Sequence, residues 1–210
     1  MERDVMEYDV LVVGAGPAGL SAAIKFAQLN KKNNTNHSIC VIEKGSEVGA
    51  HILSGNVFEP TALNELIPDW KDKEAPLETP VKKDVVKYLI NKNISIPIPF
   101  PGTFMPNFNN HGNYIMSLAN FCRWLAKEAE SLGVEIFPGF TASEVIIEND
   151  QLKGIVTGEM GVGKNGEKKP SYQPSMELRA KYTVLSEGCR GHPVSYTHLR
   201  AHESSLHLVC

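Results

Sequence analysis

The chain has 210 residues, 42% hydrophobic and 21% charged, with a formal net charge of −3. That length suits one large domain or one and a half small ones, and the charge balance excludes a polycationic nucleic-acid surface. Cys40, Cys122, Cys189 and Cys210 show no CxxC spacing, which points to buried reduced thiols in a reducing compartment. No apolar run approaches the roughly 20 residues that cross a bilayer. The first residues, Met1 to Glu7, carry neither an apolar secretory region nor an Arg/Ser-rich transit peptide.

Val10 to Val13 is an apolar run of the kind found in a buried parallel strand. It leads through Gly14-Ala15-Gly16-Pro17-Ala18-Gly19 into Leu20 to Ala27, a strong helix former. Each glycine has a physical task. Gly14 permits the tight strand-to-helix turn, Gly16 lets a pyrophosphate approach the backbone, and Gly19 lets the helix lie close to the sheet. The helix N-terminus offers its unpaired N–H groups and positive dipole end to phosphates. The polar, Asn-rich stretch from Gln28 to His37 reads as a surface loop. Ser38 to Ile42 is a second apolar strand, and Glu43 lies at its carboxyl end. That is roughly 24 residues past Gly19, near the spacing of an acid that binds the adenosine ribose. A carboxylate there accepts from both ribose hydroxyls and repels a 2′-phosphate, which argues against NADP. Residues 8–43 thus form one βαβ unit for an adenine dinucleotide.

Lys44 to Asn56 is too glycine-rich for a helix and reads as a loop over the cofactor. Glu59 to Leu66 is a short helix with Pro60 near its start. Val85 to Ile90 and Asn93 to Pro101 read as strands interrupted by prolines, hence edge strands or an extended apolar loop. Periodicity returns over Ser117 to Leu132, with apolar residues at 118, 121, 122, 125, 129 and 132 on one face and Gly133 as the stop. Phe121 and Trp124 are most simply core. The strands expected next are Val134–Phe137, then Glu144–Ile147 and Leu152–Thr157 about an Asn149-Asp150 turn. Gly158 to Pro174 reads as a hairpin tip. Met176–Ala180 and Tyr182–Ser186 read as two further strands, the second returning to the parallel sheet. Gly188 and Gly191 at its end offer a second place where backbone can approach a ligand.

From Val194 the hydrophobic pattern stops. Reverse translation of Val194–Glu203 is compatible with a transposase-based sequencing adapter, Ser204 departing from it, so residues 193–210 are expected to be a non-native tail. The rival reading is a metal site from His192, His198, His202 and His207, two of which are four residues apart.

Four segments resemble the electron transfer flavoprotein–ubiquinone oxidoreductase family. They are Val12 to Ala23, Glu43 to Gly55 with its Gly-Ala-His-x-Leu-Ser-Gly, Asn110-His-Gly-Asn-Tyr-Ile115, and Ser186-Glu-Gly-Cys-Arg-Gly191. The resemblance runs over residues 7–192 and covers roughly the first third of a family-length chain. It implies an α/β, Rossmann-like FAD-binding fold of the glutathione-reductase type, with part of an inserted α+β substrate or quinone domain. The expected domains are 1–79 and 113–192 for FAD binding, and 80–112 for the quinone segment. It also implies a peripheral membrane flavoenzyme that passes electrons from reduced electron transfer flavoprotein to ubiquinone through FAD and a [4Fe–4S] cluster. None of the four cysteines here matches the cluster motif, so no metal ligand is assigned. The location implied is the cytoplasmic face of a bacterial inner membrane, or the matrix face of the mitochondrial one.

The cofactor set is Gly14, Ala15, Gly16, Pro17, Ala18 and Gly19 at the pyrophosphate, Glu43 at the ribose, and Lys44 next to it in the chain. Ser54, Gly55 and Gly188 lie on further loops. No catalytic residue is named, because a flavin carries its own electron chemistry. His51 and His111 read as hydrogen-bonded loop residues. The segment Ile94 to Phe104 is open to three roles: a quinone tunnel, a membrane-surface contact or a packing loop. The alternatives are a related flavoprotein dehydrogenase or prenyl reductase, or an inactive nucleotide-binding portion with exposed strand edges.

Overall fold

A computed structural model describes residues 3–53, 55–98, 109–163 and 165–188. The described residues fall into two units, one within Met1–His51 and Cys122–Cys210, the other Ile52–Phe121. The expected tail, Gly191 and the four histidines proposed for a metal lie outside the described residues, as does Ser54.

The first unit is a six-stranded sheet in the order β8-β2-β1-β13-β10-β9. Its parallel part comprises β8 (Glu135–Pro138), β2 (Ile39–Glu43), β1 (Val5–Val13) and β13 (Glu177–Leu185). Because successive strand residues point to opposite faces, Leu11, Val13, Cys40 and Ile42 gather on one side. They form a buried cluster with Ile155, Leu178 and Ala180. Helix α1 (Pro17–Asn33) packs on β1 and β2 and buries Leu20, Ala23, Ile24 and Ala27. The Asn-rich stretch is therefore not all loop: the helix continues six residues beyond Ala27. Extending an existing helix costs little per residue. Lys31 and Lys32 suit the negative end of the helix dipole, and Asn34 closes it at φ +52°.

Helix α3 (Leu118–Ser131) buries Phe121, Cys122, Leu125, Ala126 and Ala129, the periodic face expected, while Trp124 is only half-buried. β9 (Ala142–Glu148) and β10 (Gln151–Thr157) pair antiparallel. Their turn residues, Asn149 and Asp150, both adopt positive φ, the hairpin geometry whose twist matches the strands. The hairpin tip holds two short strands of its own, β11 (Met160–Val162) and β12 (Lys168–Gln173). The two last strands expected are one strand, β13. Lys181 does not break it, because its side chain leaves the sheet to meet Asp9 at 2.6 Å.

That contact belongs to a polar cluster midway along β1 and β13, beside the start of β2. Asp9 accepts from Lys181 and from the Ser38 N–H at 2.8 Å. These bonds, Lys181 first, hold its carboxyl down to about 2. A carboxyl lowered on folding stabilises above its unfolded pKa, so the contribution is whole above about pH 4 and is lost as pH falls through about 2.

The second unit holds a three-stranded antiparallel sheet in the order β3-β7-β4. Its strands are β3 (Asn56–Phe58), β7 (Tyr114–Met116) and β4 (Thr79–Pro80), none of them anticipated because two or three residues carry no readable period. Helix α2 (Thr61–Leu66) follows Pro60. Trp70 is buried, donates its indole N–H to Asn64 Oδ1 at 2.7 Å and meets the Tyr114 ring edge-on at 5.8 Å. β5 (Lys87–Asn91) and β6 (Ile94–Pro97) make a separate two-stranded hairpin. Tyr88, Leu89, Ile90, Ile94 and Ile96 on it are all more than half exposed. Asp84 accepts from the Asn110 backbone N–H at 2.9 Å and from Asn110 Nδ2 at 2.8 Å. This fixes the Asn110–Asn113 turn, on which His111 is exposed.

Candidate cofactor site

Three neighbouring parallel strands bring their carboxyl ends together. β2 ends in Glu43, β1 runs into Gly14, and β13 is followed by Ser186. The turn is tied on both sides: the Gly14 N–H donates to Ile42 O at 2.8 Å, and the Ser186 N–H donates to Val13 O at 2.9 Å.

The three motif glycines differ in what surrounds them. Gly14 has φ +105°, and an added Cβ would stand 2.6 Å from the Ser186 carbonyl oxygen. A Cβ on Gly19 would stand 2.5 Å from Ser186 Oγ and closer still to the Gly14 oxygen. Both are glycine because the protein itself leaves no room. At Gly16 the φ is −80°, which any residue adopts, and an added Cβ would meet nothing within 4 Å. Open space over a glycine at the N-cap of α1 is room for a ligand. The cap residue supplies no side-chain hydrogen bond and Pro17 is in the first turn, so no side chain of the cap competes for the first-turn N–H groups. Ala15 is buried, Pro17 half-buried and Ala18 exposed.

Glu43 lies beside this turn. Its Oε2 accepts the Ala15 N–H at 3.0 Å, and its Oε1 accepts the Gly45 N–H at 2.8 Å. A carboxylate offers about four lone-pair positions, so each oxygen keeps one for a further donor. The following loop is pinned by the Gly139 N–H on Gly45 O at 2.7 Å and by Arg123 on Glu47 at 3.1 Å. Lys44 and His51 are exposed on it. Burial, then the Glu43 charge, pushes the Cys122 thiol up to about 11. Burial foremost pushes Cys40 to about 12. Gly188 follows Ser186 by two residues, exposed, at φ +75°. Gly55 belongs to the second unit, at φ +89°.

The residue missed in the sequence is Ser186. Its Oγ donates toward Val13 O at 2.8 Å and Gly14 O at 3.1 Å. The signal available was Gly19 itself, since a helix glycine demanded by close packing must have something packed against it.

Residues 12–67 match the family model of the NAD(P)-binding Rossmann-like domain. Over 195 residues the chain is 58% identical to the electron transfer flavoprotein-ubiquinone oxidoreductase of Pseudomonas aeruginosa, covering 91% of this chain and 35% of that protein. This chain is similar to electron transfer flavoprotein-ubiquinone oxidoreductases. The mitochondrial oxidoreductase of that name from Oryza sativa subsp. japonica is 51% identical over 190 residues, covering 90% of this chain and 32% of its own. The chain thus spans about a third of the length of the oxidoreductases it matches. Among solved structures, a geranylgeranyl bacteriochlorophyll reductase-like protein from Thermoplasma acidophilum superimposes with a TM-score of 0.61 at 23% identity, over 98% of this chain and 44% of that one. It shares the Rossmann-like fold.

Proposed function

We propose that the protein to which this sequence belongs takes electrons from reduced electron transfer flavoprotein and delivers them to ubiquinone, and that this portion holds the adenine-dinucleotide half of its FAD. The observation that carries the cofactor reading is a turn whose middle glycine faces open space, with a carboxylate anchored beside it on the next strand. Gly14, Ala15, Gly16, Pro17, Ala18 and Gly19 would receive the diphosphate on backbone amides and helix dipole. Glu43 would hold the ribose hydroxyls, with Lys44 at its edge, and Gly188 would border the ligand. Ser54 and Gly55 remain assigned to the cofactor by the family resemblance. The bound flavin would supply the ability to accept two electrons together and release them singly. The chain's own residues bind and orient it.

The described residues do not fit a [4Fe–4S] cluster. Cys40 is buried in β2 and Cys122 in α3, and among those residues no three His, Cys, Asp or Glu stand together for a metal.

Titrating the full chain with FAD, followed by flavin absorbance, tests the reading against an inactive portion, and Gly16→Ala sharpens it. The substitution meets no protein atom, so the melting temperature of the ligand-free chain should hold within a few degrees. FAD affinity should fall about a hundredfold, because the methyl occupies the phosphate's space. Equal affinity in both proteins would remove the phosphate from Gly16.

Membrane association is supported by the β5–β6 hairpin. Tyr88 and Leu89 are 66% and 72% exposed, and Lys82, Lys83, Lys87 and Lys92 lie along the same stretch. Exposed apolar side chains bordered by lysines suit the surface of an anionic bilayer, on the cytoplasmic face of a bacterial inner membrane or the matrix face of a mitochondrial one. No helix among the described residues is long and apolar enough to cross a membrane. Tyr88→Glu with Ile96→Glu, a cross-strand pair, should weaken sedimentation with phosphatidylglycerol vesicles about tenfold or more. Unchanged sedimentation would assign the hairpin to protein packing.

A further inference from the structure

We infer that Ser186 is a positioning residue for the ribose-binding carboxylate, acting through a single peptide group. The Gly14 carbonyl and the Ala15 N–H belong to one planar unit, so fixing one end fixes the other. At the carbonyl end stands the Ser186 hydroxyl, 3.1 Å from Gly14 O. At the amide end stands Glu43, whose Oε2 accepts the Ala15 N–H at 3.0 Å. β13 and β2, the strands on either side of β1, therefore hold the same plane from opposite ends. The hydroxyl's one hydrogen is shared with Val13 O at 2.8 Å, but that oxygen already accepts the Ser186 N–H. Loss of the hydroxyl thus falls chiefly on the Gly14 carbonyl. Ser186 fills the space that the glycines leave: its Oγ stands 2.5 Å from where a Cβ on Gly19 would be, and its carbonyl oxygen 2.6 Å from one on Gly14. The hydroxyl is held by these two acceptors, and the Gly14–Ala15 peptide takes its tilt from it. Tilting that plane moves the Ala15 N–H, and with it the carboxylate oxygen whose free lone pair would meet a ribose hydroxyl.

This inference rests on the dinucleotide reading above, and it makes a claim that reading does not: Ser186 governs discrimination at the ribose. The probes are ADP and 2′-deoxy-ADP, titrated into the full chain by calorimetry. The native chain should prefer ADP by about tenfold, the value of one hydrogen bond to a carboxylate. Glu43→Gln should lower that preference. Ser186→Ala should weaken ADP and shrink the preference at least threefold. Ser186→Cys, similar in size with a poorer donor, should fall between, and it carries the measurement if the alanine variant does not fold. A purely structural role would weaken both nucleotides by the same factor and leave the preference intact. That result, or no change at all, overturns the inference. A native chain that binds both nucleotides equally, or neither, overturns the ribose reading itself and the inference with it.

Discussion

Gly19→Ala is expected to cost the chain both its cofactor and about 3 kcal/mol of stability. The added methyl would overlap the Gly14 carbonyl, stand 2.5 Å from Ser186 Oγ and 3.1 Å from Val12 Cγ1. A flexible side chain can swing away from such an overlap, but the Gly14 carbonyl is backbone, its peptide tied through the Ala15 N–H on Glu43 Oε2. Helix α1 would have to retreat from the sheet, although Leu20, Ala23 and Ile24 are fully buried against it. The lifted helix would also carry its N-terminal amides away from the turn. Urea denaturation should show the midpoint fall with little change in slope, and FAD absorbance should vanish from the purified protein. The contrast with Gly16→Ala is the informative part. One substitution strikes packing and binding together, the other binding alone. Retained FAD in the Gly19 variant would mean that α1 need not approach the sheet this closely.

Removing the carboxylate at Glu43 should have the next largest effect. Glu43→Ala leaves the Ala15 and Gly45 N–H groups without their acceptor and, on the proposed reading, removes the partner of the ribose. A lost charge-assisted hydrogen bond to ligand is worth about 1.5–3 kcal/mol. FAD affinity should therefore fall roughly tenfold to about a hundred-and-fiftyfold. The loop from Lys44 onward keeps the Gly139 and Arg123 ties, so the ligand-free fold should survive. Affinity measured by fluorescence quenching, beside a circular-dichroism melt, separates the two. An unchanged affinity would sever Glu43 from the ribose.

The glycine turn between β1 and α1 was the most legible part of the chain because its logic is local. Val10 to Val13, the three glycines and the helix behind them are contiguous, and Glu43 comes at a spacing one βαβ crossover fixes. Ser186 was not legible in the same way, since it reaches the turn only through the pairing of β13 with β1, a contact between residues more than 170 positions apart. The helix beyond Ala27 misled in the opposite sense. Asparagine and lysine describe a solvent-facing surface, which a helix end has as readily as a loop. Lys181 misled likewise, because a charge inside an apolar run signals a break only when it has no partner, and Asp9 is invisible to a linear reading. The small strands of the second unit are set by their neighbours alone. Proline near β6 was informative, for it marked chain that cannot sit in the middle of a large sheet.

Asp9 and Lys181 sit midway along β1 and β13, with Ser38 just before β2, several residues short of the glycine turn. From Asp9 to Gly14 the strand runs about 17 Å at the usual rise per residue. Substitutions that far apart with no shared partner act almost independently. Acid tolerance and the geometry of the turn are therefore separate dials on one sheet: the mid-strand cluster can be re-engineered for a different pH without disturbing the glycine turn.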